Sequence, residues 1–99
     1  MLKIKKNIEN GKAAFALEGR LDTVTAPELE QEIKNSLGGL EELVFDFSNL
    51  EYVSSAGLRV LLSAQKAMAG KGGITIRNLN DTVKEIFEVT GFADILTIE

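Results

Sequence analysis

Few residues in this sequence could take part in covalent or acid–base chemistry. The densest group lies in YVSSAGLRVLL, residues 52 to 62, where Ser54 and Ser55 precede the small Ala56 and Gly57. A serine becomes a nucleophile only beside a base, and the 99 residues include no histidine and no cysteine. A Ser-His-Asp triad, an imidazole base and the common zinc ligand sets therefore cannot be assembled within the chain. Lysine activation at Ser-x-x-Lys spacing fails as well, because the third residue after Ser55 is Leu58. Carboxylate, lysine or oxygen-ligand magnesium chemistry stays formally open, but the composition argues against an enzyme. It implies no catalytic residue, cofactor or metal site.

What remains for the serines is to cap a helix or to be modified. The first four N–H groups of a helix lack intrahelical partners, and a serine hydroxyl at the N-cap accepts from one of them. One cap explains one serine. Glycine costs about 1 kcal/mol relative to alanine inside a helix, so the Ala56-Gly57 step suggests close approach by another molecule. A helix start also tolerates anions, through its free N–H groups and the positive end of its dipole. A phosphate on Ser55, with roughly −2 charge, would sit there without unfolding the domain yet alter any partner surface docked against it.

Other polar residues carry weaker signals. Asp22 serves equally well as a turn cap or a partner contact, since short acidic side chains bond readily to nearby backbone. Asp46, in an otherwise apolar strand, reads as a structural hydrogen-bonding group near the strand end. Arg59 could pair with phosphate or partner acids, or be a solvated helix charge. GKGG, residues 70 to 73, lacks Walker-loop spacing and follows a helix, so it reads as a stop and turn.

These residues need elements to hold them. A chain of 99 residues with 44% hydrophobic content supports one domain, spanning 1–99, around a single core. The net charge of −4 and scattered basic residues argue against nucleic acid, and no apolar run approaches the roughly 20 residues of a membrane span. These features predict a cytoplasmic protein with protein partners, no membrane insertion and an open oligomeric state.

Leu2, Ile4, Lys6 and Ile8 alternate, Asn10-Gly11 is a hairpin turn, and Ala13, Phe15 and Leu17 continue on one face to Gly19. Thr25 and Glu28 have capping-box spacing ahead of a stripe at Ala26, Leu29, Ile33 and Leu37, stopped by Gly38-Gly39. ELVFDF reads as a covered strand and SNLEY as a turn. Leu58, Leu61, Leu62, Gln65 and Met68 mark a second helix. ITIRN is a strand, and Asn80 or Asp81 caps a third helix that Gly91 closes before a tail, FADILTIE. The order predicts an α/β fold: a mixed β-sheet with an opening antiparallel hairpin, later parallel strands, and helices packed on one face. GRLDTVTAP, SNLEYVSSAG and RNLND would gather at one edge of it.

GRLDTVTAPELEQEI, LVFDFSNLEYVSSAGLRVLL and GGITIRNLNDTVKEIFEVTGFADIL together resemble the STAS domain, as in anti-sigma factor antagonists of bacterial partner-switching systems. The resemblance covers essentially the whole chain and implies a STAS-like fold. It implies a non-enzymatic regulator that binds an anti-sigma factor/serine kinase, releases a sigma factor, is switched off by phosphorylation and is restored by a PP2C-type phosphatase. It places the phosphate on Ser55, with Ala56, Gly57 and Leu58 following, and Arg59 after the motif. Asp22 and Thr23 fall in the acidic loop beside the phosphosite. Ser54 stands where the best-known members have an aspartate, which makes it a second acceptor candidate. The alternative within the same resemblance is a non-phosphorylated scaffold subunit of a stress-signalling or lipid-transport assembly.

Overall fold

Alternating side chains build the sheet outward from its first hairpin. The computed structural model describes residues 2–99. Strands β1 (Leu2–Glu9) and β2 (Lys12–Leu21) pair antiparallel, from Leu2 opposite Gly19 to Glu9 opposite Lys12. Asn10 and Gly11 between them have φ of 50° and 79°, the two positive values that suit a tight hairpin to the twist of its strands. Lys6, on the apolar stripe of β1, reaches Glu32 at 3.4 Å.

Every later strand pairs parallel to its neighbour, so each needs a crossover. Helix α1 (Ala26–Ser36) leads to β3 (Glu42–Val53), α2 (Ser55–Ala67) to β4 (Ile74–Arg77), and α3 (Asp81–Thr90) to β5 (Thr97–Ile98). The sheet order is β1-β2-β3-β4-β5, antiparallel at the hairpin and parallel beyond it. The expected α/β architecture with a mixed sheet is therefore the observed one.

Three boundaries differ from expectation. SNLEY is not a turn: β3 runs through it to Val53, because Leu50 and Val53 are buried and gain from staying in the sheet. β2 likewise runs to Leu21 instead of ending at Gly19, and the β2–β3 register shifts between Ala16 and Glu18 and between Gly19 and Arg20. The tail supplies a fifth strand, with Thr97 and Ile98 beside Thr75 and Ile76. Two residues carry too short a pattern to announce a strand on their own.

The core lies between the sheet and the helices. Phe15 and Phe45 meet edge to face at 5.6 Å, Phe45 is 6.2 Å from Phe47, and Phe47 meets Phe87 of α3 edge to face at 6.3 Å. Such geometry suits the ring quadrupoles. Leu29 and Ile33 of α1 and Leu58 and Leu61 of α2 close the layer. Ser36 is the exception: its hydroxyl is buried with no hydrogen-bond partner among the described residues. Leaving such a group unsatisfied costs about 1–3 kcal/mol. Ser36→Ala is accordingly expected to stabilise the protein by about 1 kcal/mol, read as a rise in the urea midpoint at unchanged slope.

The opposite face of the sheet carries Ala14, Ala16, Asp46 and Arg77. Asp46 lies within β3, not near its end, and its role is structural: Oδ1 accepts from the Ser48 N–H at 2.9 Å and from Asn78 Nδ2 at 3.1 Å. The Ser48 N–H is the largest of the causes that hold its pKa below the ordinary aspartate value. A carboxylate with a depressed folded pKa binds fewer protons folded than unfolded, so its contribution is present above the unfolded pKa and lost as pH falls through the folded one. Thermal melts between pH 2.5 and 6, values chosen to bracket the roughly 3.9 of free aspartate, should show a shallower acid loss for Asp46→Asn than for the wild type. Equal acid limbs would remove Asp46 from the acid transition.

Candidate functional site

Parallel strands with right-handed crossovers bring their C-terminal ends to one edge, and the loops leaving β2, β3 and β4 meet there. Ser54 N–H donates to the Leu21 carbonyl at 2.8 Å, extending the β2–β3 ladder by one rung to the start of α2. Asn80 Nδ2 donates to the Leu50 carbonyl at 2.8 Å and Asn80 Oδ1 accepts from the Val83 N–H at 2.8 Å, so Asn80, not Asp81, caps α3. The expected edge of GRLDTVTAP, SNLEYVSSAG and RNLND is thus held together by one main-chain bond and one side-chain bond to a main-chain carbonyl.

Ser54 has the extended backbone of an N-cap, φ −90° and ψ 175°, and its Oγ accepts from the Gly57 N–H at 3.3 Å. Its carbonyl accepts from the Leu58 N–H at 2.9 Å. Ser55 is the first residue of α2, is exposed, and has no such task. The two serines have separate roles: one closes the helix, and the other presents a hydroxyl to solvent. No acid occupies the first turn of α2.

The β2–α1 loop is organised from within. Asp22 Oδ1 accepts from the N–H groups of Val24 and Thr25, each at 3.0 Å. Thr25 Oγ accepts from the Asp22 N–H at 2.8 Å, and its one proton is shared between the Arg20 carbonyl at 2.8 Å and the Asp22 carboxylate at 3.2 Å. The Thr25 N–H is the first cause holding the Asp22 pKa below its ordinary value. The capping box expected from Thr25 and Glu28 does not form, since Thr25 has helical φ and ψ and makes no side-chain cap. The reason is the prior claim on its hydroxyl by Arg20 and Asp22. Asp22 takes the turn-capping role, and its carboxylate points into its own loop.

Thr23, Ala56 and Arg59 line one shallow hollow of about 210 Å³ between the start of α1 and the first turns of α2, together with Pro27, Glu30 and Val60. The sequence-derived residues of the two loops are therefore neighbours in space. Gly57 and Leu58 contribute little accessible surface: both are buried, Leu58 at 5% exposure. They shape the site from beneath. Missing from the sequence reading is Val24, which is 81% exposed at the loop tip beside Thr23. An apolar residue between two threonines in a polar loop was the available signal. On the sheet side of the same edge, the Arg20 guanidinium lies 4.6 Å from the centre of the Tyr52 ring.

Residues 2–99 match the family model of the STAS domain. The Bordetella bronchiseptica protein BtrV, described as a candidate anti-sigma factor antagonist, is 32% identical over 99 residues, covering 98% of this chain and 85% of the relative. An anti-sigma-B factor antagonist of Listeria monocytogenes is 30% identical over 84 residues, 82% of this chain and 73% of the relative. Among solved structures, the unphosphorylated form of the Bacillus anti-sigma factor antagonist SpoIIAA has a TM-score of 0.84 at 16% identity, covering 98% of this chain and 88% of that one. Its phosphorylated form has a TM-score of 0.75 at 16% identity, covering 98% and 91%. Likeness at that identity shows a shared fold.

Proposed function

The chain belongs to the STAS domain family, and on that premise we propose that it is an anti-sigma factor antagonist switched by phosphate at Ser55. Unmodified, the edge formed by Asp22, Thr23, Ser54, Ser55, Ala56 and Arg59, with Gly57 and Leu58 beneath, binds an anti-sigma factor that is also a serine kinase. Binding there competes with the sigma factor, which is released. The kinase transfers the γ-phosphoryl group of ATP: the bond from Ser55 Oγ to phosphorus forms, the bond to the ADP oxygen breaks, and the hydroxyl proton passes to the kinase. A PP2C-type phosphatase hydrolyses the ester and restores binding. The protein acts in the cytoplasm, without nucleic acid contact and without a catalytic step of its own.

The observation that carries this reading is the division of labour between the serines. Ser54 Oγ is bonded to Gly57 N–H while Ser55 is exposed at the first position of the helix. A phosphate there meets the free N–H groups of the first turn and no acid in that turn, so the fold tolerates it. A docked partner does not, because about two added charges must be desolvated or paired.

The test is incubation with the purified cognate kinase and ATP, followed by intact-mass analysis. The wild type should gain one phosphate, Ser55→Ala none, and Ser54→Ala one. Ser54→Ala should also lose about 1 kcal/mol of stability with its cap. A wild type left unmodified by an active cognate kinase would falsify the switch, and binding without modification would support the scaffold reading instead. A phosphate that survives in Ser55→Ala and vanishes in Ser54→Ala would move the acceptor to Ser54.

A further inference from the structure

We propose that the phosphate on Ser55 is captured within its own helix by Arg59, so that modification both adds a dianion and withdraws a cation from the partner-facing edge. The proposal rests on the phosphorylation reading above and concerns what the modified surface becomes. Ser55 and Arg59 are four residues apart in α2, and both are exposed. That spacing places their Cβ atoms roughly 5–6 Å apart on one helix face, with the anion N-terminal to the cation, the better of the two orientations. A guanidinium fork matches two phosphate oxygens, which a lysine ammonium cannot do.

Arg59 is free for that task. It makes no ion pair among the described residues, where the four ion pairs use Lys6, Lys12, Lys34 and Arg77. One acid lies nearby and is paired elsewhere. Glu30 of α1 lines the same hollow as Arg59 and is 3.5 Å from Lys34. Asp22 of the β2–α1 loop does not line that hollow, and its Oδ1 accepts from Val24 and Thr25. In the unmodified protein the Arg59 guanidinium is open to a partner acid, and in the modified protein the phosphate four residues away holds it. Loss of partner binding then has two sources on one surface.

The experiment installs phosphoserine at position 55 of the full chain during synthesis, so no kinase is needed. Its outcome is therefore separable from whether a kinase modifies Ser55 in practice. The second ionisation of the phosphate is followed by phosphorus NMR across pH 4 to 8, a range chosen around its usual pKa of about 6. Arg59 favours the dianion, so its acid dissociation constant should be roughly twofold larger in the wild type than in Arg59→Gln, as expected for one exposed pair. Arg59→Lys should fall between them, and Glu30→Gln should leave the wild-type value or enlarge it. Molar salt should erase the difference between wild type and Arg59→Gln, because screening acts strongly on exposed pairs. Superimposable titrations of wild type and Arg59→Gln at low salt would overturn the proposal, as would a difference that molar salt leaves untouched.

Discussion

Ser55→Glu is expected to weaken binding to the proposed anti-sigma partner by about 2–5 kcal/mol, roughly 30- to 5,000-fold in Kd. The physical cause is local. Ser55 is exposed at the first turn of α2, next in the chain to Ala56, which lines the hollow with Thr23 and Arg59, so a partner docked over the proposed edge would cover its hydroxyl. A carboxylate placed there must be stripped of water against a surface shaped for a small neutral group. Within the free protein the same carboxylate is harmless, because an acid at a helix start is favoured by the dipole and by unpartnered N–H groups. Its melting temperature and circular dichroism should stay those of the wild type. Titration calorimetry against the purified partner measures the effect, with Ser55→Ala as the neutral control that retains binding. An affinity for Ser55→Glu within twofold of the control would take Ser55 out of the interface.

Gly57→Ala should destabilise the fold by about 1–3 kcal/mol, the usual cost of overpacking a filled site. Helix propensity alone gives the opposite sign, since alanine is favoured over glycine by about 1 kcal/mol within a helix. Packing decides the outcome. A Cβ at position 57 would lie 2.7 Å from Leu21 Cγ and 3.1 Å from the Leu21 carbonyl oxygen. Leu21 cannot easily retreat, because it is fully buried and its carbonyl accepts the Ser54 N–H that joins the two loops. Relief must come from separating α2 from the end of β2, which also shifts the Asp22 loop. For a domain of this size each kcal/mol corresponds to about 4–8 °C in Tm, so thermal unfolding resolves the effect readily. A gain in Tm would show that propensity outweighs the contact. A partial loss of partner affinity should accompany the destabilisation even where the protein remains folded.

Gly57 also shows where local reasoning stops. From the sequence, Ala56-Gly57 reads as smallness that admits a partner, and half of that pair has another cause. Ala56 does line the hollow, while Gly57 is small because Leu21, 36 positions earlier in the chain, occupies the space above it. Thr25 teaches the same lesson on a shorter scale. Its spacing to Glu28 suggests a capping box, but its hydroxyl is claimed by the Arg20 carbonyl and the Asp22 backbone. Competing partners of similar strength are separated only by geometry.

The features legible in the sequence are those governed by near neighbours. The helical stripes of Leu29 and Ile33 and of Leu58 and Leu61, the Asn10-Gly11 turn, a serine cap ahead of α2 and the stop at Gly91 depend on contacts within about one helical turn or one hairpin, and each appears in place. Alternating strands and helices then restrict the topology, because parallel neighbours require crossovers of one hand. That restriction brought the Asp22 and Ser55 loops to one edge before any distance was known.

Tertiary structure decided the rest. Whether SNLEY turned or continued depended on burying Leu50 and Val53 in the shared core, and whether the tail paired depended on an open edge at β4. It also decided which way each polar group faced at the edge: Asp22 inward to its loop, Ser54 onto Gly57, Ser55 and Val24 outward. Residue types and spacing by themselves determined which groups could do chemistry, through the absence of histidine and cysteine and the paired serines at a helix start. That Ser54 is the serine bonded to Gly57 and held by the end of β2, leaving Ser55 outward, was decided by the folded chain, because Leu21 lies 33 positions before Ser54.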